Sequence, residues 1–385
     1  MPHGLGLFWS LASGSLVQNA CMPQVFSPSQ RLSNIALARQ QVIEQGAWLQ
    51  APLVEDWIQR SWQRCLQLGH SPHQSVSFDP ISQAHVHYLQ EQHHSLLNAA
   101  QTELDRLSQA IAGTRYFALL TDAQGMVIDT RGDIPQDSPR ARDIARVGVD
   151  LSEAHAGTTA IGAALAEHRP IWLHRGEHFF NGNASYSCAG APLFDTRGEC
   201  VGMIDITGVD VPERPELQHL AAQSARHIQN ALLQHQQPAL MLRLNWAGQP
   251  LGGDGDGWVG LDAEGDLIGA NQVARQILQL SAQAHHASDV FAMAWPSLFD
   301  LPHAPHAVEA PLWSGLRVQL QRASLQAPQQ PTSAVLTAPL KSVEGDLIRR
   351  AMQQARGNVA EAARSLGISR ATLYRKISPQ KKSAK

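Results

Sequence analysis

The sequence predicts an α+β protein that ends in a small all-α module. Three observations carry this reading. Between Phe117 and Gly208 apolar runs recur in pairs around Asp-x-x-Gly turns, with helical stretches before, between and after them. The segment from Lys341 to Lys385 shows helical spacing and holds every lysine of the 385-residue chain. That segment also carries eleven basic residues against three acids, Glu344, Asp346 and Glu361, so it stands at about +8 while the whole chain is −3. Residues 1–340 are therefore near −11.

Residues 1–30 are mildly apolar but lack the basic start of a signal peptide, and Ser10, Ser13 and Ser15 break their apolar run. They read as a disordered or mis-assigned tail, with translation beginning at Met1 or Met22. Residues 31–113 read as a helical region. From Ser33 to Leu68 the expected buried positions are Ile43, Trp48, Val54, Trp57, Ile58 and Trp62, and a second helical stretch runs from Ile81 to about Ala112.

Residues 114–234 read as a sheet domain. Two strands flank a turn at Asp122–Gly125, and two more flank a turn at Asp195–Gly198. Ser152 and Glu153 open a glycine-containing loop, Thr159–Glu167 makes a short apolar helix, Pro170–Leu173 starts a strand, and Pro215–Leu233 is a closing amphipathic helix. This order suggests helices packed on one face of the sheet. Residues 240–324 read as a small α+β module with strand, turn at Asp262–Gly265, strand and helix from Gly255 to Leu280, and a later strand within PLWSGLRVQLQR. Residues 325–340 are Gln- and Pro-rich and read as a linker.

In residues 341–385 a first helix carries Val343, Leu347, Ile348, Ala351, Met352 and Ala355 on one stripe and stops at Gly357. Asn358 caps a second, short helix from Val359 to Leu366. Gly367 turns the chain, Ile368 enters the core, and Ser369 caps a third helix from Arg370 to Ile377. Leu373 and Ile377 face inward, which leaves Arg370, Thr372, Arg375 and Lys376 on other faces. A short basic module on an acidic body is the electrostatic signature of a part that binds nucleic acid. Small and hydroxyl residues at a helix start, followed by cations, suit a helix lying in the major groove of double-stranded DNA. Arg370 and Thr372 are assigned to base edges, Tyr374, Arg375 and Lys376 to the phosphate backbone beside the capping Ser369, and Lys381, Lys382 and Lys385 to salt-sensitive attraction.

Cys21, Cys65, Cys188 and Cys200 form no CxxC pair and read as reduced cytoplasmic thiols. The 18 histidines show neither HExxH nor finger spacing, so no metal or other cofactor is expected. No segment approaches the length of a membrane span. A P-loop needs a lysine on the phosphates, and residues 1–340 contain none.

The run RGNVAEAARSLGISRATLYRKI closely resembles the Fis-type helix-turn-helix that ends many bacterial transcription regulators. Residues 31–234 resemble a GAF sensor domain of the kind found in regulators of acetoin catabolism. The carriers are SWQRC at Ser61–Cys65, GTTAIG at Gly157–Gly162, EHFF at Glu177–Phe180, APLFDTRG and GMIDITG, with Thr159 where that glycine run usually has Asn. Residues 255–280 resemble the opening of a PAS domain. These resemblances imply a dimeric, cytoplasmic, ligand-modulated DNA-binding regulator. They also imply a small-molecule pocket, for which Thr158, Thr159, Trp172, His178, Phe179, Cys188 and Met203 are the candidates. Regulators of this kind usually carry an ATPase domain between sensor and DNA-binding end, and the missing P-loop implies action without it. Partners would then be DNA, an effector of unknown identity, a second copy, and RNA polymerase or a homologous regulator. The alternative is a sensor adapter that binds a full-length homologue and touches DNA weakly. An enzyme is disfavoured, because no serine lies in GxSxG and no nucleophile has a base at motif spacing.

Overall fold

The computed structural model describes residues 28–49, 53–78, 81–281, 284–301, 306–323, 348–349, 351–352, 355 and 358–377. The expected N-terminal tail (except for residues 28–30), the linker, the Gly357 helix stop and the three tail lysines lie outside the described residues.

The N-terminal region contains α1 (Pro28–Arg39), which runs into a π turn at Gln40–Glu44, then α2 (Asp56–Gln67), α3 (Gln83–Gln92) and α4 (His94–Ile111). The sequence reading differs here at two places. Trp48, expected to be buried, is 50% exposed, because the chain leaves the helix after the π turn. The second helical stretch is split at His93, the shared cap of α3 and α4.

The sheet domain has β1 (Tyr116–Asp122), β2 (Val127–Arg131), α5 (Pro139–Ile144), α6 (Glu153–Ala156), α7 (Ala160–Glu167), β3 (Ile171–His174), β4 (Tyr186–Phe194), β5 (Cys200–Val209) and α8 (Leu217–His235). The strands form one antiparallel sheet in the order β2-β1-β5-β4-β3. Helices cover both of its faces, not one. β1 and β4 are buried along their whole length, so each face needs apolar cover. Alternation sorts the residues: Phe117, Leu119, Cys188 and Met203 join a core with α1, α2, α5 and α7. Tyr116, Ala118, Ala189, Ile204 and Ile206 join a second core under α4 and α8.

The second module holds β6 (Leu240–Trp246), β7 (Gly257–Leu261), β8 (Leu267–Ala270), α9 (Gln272–Leu278), β9 (Val308–Pro311) and β10 (Arg317–Arg322), with sheet order β8-β7-β6-β10-β9. The strand β6 is an addition to the sequence reading, as is the division of the later strand into β9 and β10. The β4–β5 turn of the first sheet rests against this module: Ala270 N donates to Thr196 O at 3.0 Å.

Three hairpin corners share one construction. Asp122, Asp195 and Asp262 each accept two backbone N–H groups on Oδ1, at 2.8–3.0 Å, from residues two and four further on. The glycine ending each turn has φ near +90°, which only glycine adopts without strain.

The C-terminal unit contains α10 (Val359–Ser365) and α11 (Arg370–Ile377). Ile348, Ala351, Ala355, Ala362, Ala363, Leu366, Ile368 and Leu373 make its core. Asn358 Oδ1 accepts from Ala360 N and Glu361 N at 3.1 and 3.3 Å, the expected cap.

Candidate effector pocket and DNA-facing helix

A cavity of about 360 Å³, counting the space at its mouth, lies on the α1/α2 side of the first sheet. Its floor is Tyr186 and Cys188 of β4 with Asp205 and Thr207 of β5; the register sets Cys188 directly opposite Thr207. Its cover is largely apolar: Ile144, Leu151, Ala156, Ala160, Ile161 and Phe78, with Thr159, His178 and Asn183.

The runs that carried the family resemblance build this cover. Gly157 has φ +66°, and an added Cβ would stand 2.8 Å from the Phe180 ring, so the chain approaches Phe180 this closely only as glycine. Thr159 caps α7 by accepting from Gly162 N at 3.0 Å and donates to Leu151 O at 2.8 Å. On α2, Ser61 Oγ lies 2.7 Å from Thr158 Oγ1, Arg64 donates to Glu153 at 2.6 and 2.8 Å, and Trp62 Nε1 donates to Glu177 O at 2.8 Å. On α1, Arg39 donates to the carbonyls of Gly176, His178 and Phe179 at 2.5–2.9 Å. The loop carrying His178 is thereby fixed from two helices.

The polar end of the cavity is a chain of four side chains. His178 Nδ1 donates to Arg175 O at 2.9 Å, so Nε2 is bare, and Nε2 faces Cys188 Sγ at 3.7 Å. Burial pulls the His178 pKa down to about 4, and burial pushes the Cys188 thiol well up, with the Asp205 charge adding to it. Both shifts favour a neutral imidazole beside a neutral thiol. Thr207 Oγ1 reaches Cys188 Sγ at 3.2 Å and also contacts Asp205 Oδ2. Asp205 is 1% exposed, burial raises its pKa to about 7 against the Thr207 bond, and its Oδ1 meets no donor among the described residues.

Of the pocket residues proposed from sequence, Thr159, His178 and Cys188 line the cavity. Thr158 is fully buried and faces Ser61 and Cys65. Phe179 is fully buried in the core against Phe180 and His70. Met203 packs over Gly190, and Trp172 lies in the other core beneath the Arg31 guanidinium, 4.1 Å from the ring centre. Sequence reasoning missed Asp205, Thr207 and Tyr186. An aspartate within the apolar run of β5, on the same parity as Met203, was the available signal. Among the described residues no group of three His, Cys, Asp or Glu is placed to hold a metal ion, and no helix is long and apolar enough to cross a membrane.

In the C-terminal unit Ser369 Oγ accepts from Thr372 N at 3.0 Å and lies 2.8 Å from Thr372 Oγ1, so the two hydroxyls form one cap. Arg370 and Tyr374 are exposed, while Leu373 is buried. The side chains of Arg375 and Lys376 lie outside the described residues.

A sheet domain with an open-mouthed pocket, followed by a second small sheet and a capped helix-turn-helix, defines a modular protein that carries a DNA-binding unit. Residues 32–230 match the family described as MimR, N-terminal domain, and residues 339–378 match that described as bacterial regulatory protein, Fis family. The chain belongs to the family of the MimR N-terminal domain and ends in a Fis-family helix-turn-helix. It is 32% identical over 249 residues to the acetoin catabolism regulatory protein of Cupriavidus necator, covering 63% of this chain and 37% of that protein. It is 30% identical over 199 residues to the propane 2-monooxygenase operon transcriptional activator MimR of Mycolicibacterium smegmatis, covering 51% of this chain and 32% of that one. The chain thus spans about a third of the length of these curated relatives. Among solved structures, the Escherichia coli DhaR(N)–DhaL complex overlays with a TM-score of 0.45 at 15% identity, over 70% of this chain and all of that one.

Proposed function

We propose that this protein is a non-enzymatic transcription regulator that binds specific DNA sites as a homodimer through α11 and responds to a small molecule held between β4, β5 and the Gly157–α7 cover. The observation that carries the reading is the coexistence, in one chain, of a largely apolar cavity with an orphaned polar atom and a capped helix-turn-helix on a basic end. The neutral His178–Cys188 pair supports sensing over catalysis. Action without ATP hydrolysis is supported by the small five-stranded module at β6–β10 and by the absence of lysine from residues 1–340. Ser369, Arg370, Thr372, Tyr374, Arg375 and Lys376 are the proposed DNA contacts, and Thr159, His178 and Cys188 the proposed effector contacts from the sequence reading.

Genomic footprinting of the tagged chain, repeated on a copy truncated after Pro339, tests this. Discrete peaks that vanish on truncation are expected. Peaks that require a homologous regulator in the cell would replace the reading with that of an adapter.

A further inference from the structure

The place of the cavity's mouth follows from exposure. Of the residues around the cavity, only Phe78 and Asn183 are partly exposed, and all the others are buried. The two sides of the mouth are built differently. Asn183 belongs to a 3-10 turn (Asn181–Asn183), its Nδ2 donates to Ala156 O at 3.3 Å, and Arg39 fixes the loop before it. Phe78 ends a strap, residues 71–78, that is neither helix nor strand.

The start of the strap is firm. Gln74 N donates to Ser71 O at 3.0 Å, Asn181 N donates to Pro72 O at 2.9 Å, and Asn181 Nδ2 lies 3.1 Å from His73 Nδ1. Beyond this point residues 75–78 make no backbone-to-backbone hydrogen bond among the described residues. Two side chains hold them instead. His155 Nε2 donates to Ser77 O at 3.0 Å, with its ring centre 5.7 Å from that of Phe78, and Arg146 Nη2 donates to Phe78 O at 2.7 Å. Val76 and Phe78 pack against the core but are only partly buried. Such a segment opens at small cost, because opening breaks two hydrogen bonds, exposes little additional apolar surface and leaves the sheet untouched.

We propose that the 71–78 strap is the gate of the cavity, with Phe78 as its leaf, the Ser71–Gln74 turn as its hinge, and Arg146 and His155 as its latch. With the latch made, the Phe78 ring covers the mouth opposite Asn183. With the latch broken, the end of the strap swings about the turn, and Cys188 on the cavity floor is reached from solvent. As the gate of an effector site the device rests on the sensor reading above. As a gate of the cavity it is testable with no effector present.

The test follows chemical access to the floor in the full chain. The probe is methyl methanethiosulfonate, a small uncharged thiol reagent, and peptide mass spectrometry measures the modification rate at Cys188. Cys65 is the internal reference, since it is fully buried in the same core and does not line the cavity. Arg146→Met keeps the aliphatic stem and loses the donor, and Phe78→Ala removes the leaf. Each should raise the Cys188 rate about tenfold, as expected from losing one hydrogen bond to a charged group or its equivalent in packing, with the Cys65 rate unchanged. His155→Phe, which keeps a ring against Phe78 but not the donor to Ser77 O, should give a smaller rise. An unchanged Cys188 rate in both Arg146→Met and Phe78→Ala would overturn the gate. So would a rise shared equally by Cys65, which would report a general loosening of the core. Neither outcome touches the sensor reading, which stands or falls on the footprinting experiment.

Discussion

His227 on α8 stands with Nδ1 3.0 Å from Glu103 Oε2 on α4, inside the seam between the two longest described helices. Its Nε2 meets Asp254 Oδ1, in the β6–β7 loop of the second module, at 3.1 Å. Both ring nitrogens thus face carboxylates, the arrangement of an imidazolium.

Burial alone would lower the His227 pKa, but the two carboxylates outweigh it and hold the value at about 9. The folded value is raised, so the ion pairs stabilise fully below the ordinary histidine pKa of about 6.5 and fade as pH climbs through about 9. His227→Ala should cost roughly 2–3 kcal/mol at pH 6, with a smaller deficit at pH 9.5. Melting temperatures of both proteins at the two pH values check this; an equal deficit at both would contradict a charged His227.

Asp205 shifts stability with pH in the same direction, over a lower pH window. Its pKa rises from 3.8 to about 7, so the folded state holds a proton that the unfolded state has lost. Stability therefore declines as pH rises across that interval and levels off above it. Asp205→Asn should stabilise the protein at pH 8 by on the order of 2–4 kcal/mol and change little at pH 4. Urea unfolding at the two pH values measures the difference.

Gly157→Ala should destabilise by about 2 kcal/mol. The added methyl meets the Phe180 ring 2.8 Å away, and the positive φ strains any residue with a Cβ. Thermal unfolding reads the loss. Gly182→Ala, whose Cβ would meet nothing within 4 Å, serves as the control and should leave the melting temperature nearly unchanged.

On the DNA side, Arg370→Ala should relax sequence preference, whereas Lys376→Ala should weaken all duplexes alike and reduce the salt slope by about one. Fluorescence anisotropy with an operator fragment and a scrambled duplex, over a range of salt, separates the two. An unchanged preference in Arg370→Ala would remove that residue from the base edges.

What the sequence made legible was local. The Asp-x-x-Gly corners announce themselves because side chain, turn and glycine lie within five residues. Asn358 and Ser369 do so because a cap acts two or three residues ahead. The cover of both sheet faces was harder to read. The small and apolar residues of Tyr186–Phe194 fit one covered face or two, and the decision lies in α1 and α2, more than 100 residues away. Leu240, Leu242 and Leu244 alternate with Met241 and Arg243 in a pattern that spells a strand, but the Gln- and Pro-rich join hid where it began. The polar end of the pocket depends on β4–β5 register, which sets Cys188 against Thr207, and no local pattern encodes that pairing. The clamp on His227 joins residues 103, 227 and 254 and had no local trace at all.

The hairpin of β4 and β5 has one further consequence. Its base forms the cavity floor through Cys188, Asp205 and Thr207, and its tip at Thr196 is hydrogen-bonded to Ala270 of the next module. A hairpin whose interior is close-packed bends poorly, so a tilt imposed at one end is felt at the other. The floor of the cavity and the foothold of the module beyond it are thus carried by one pair of strands.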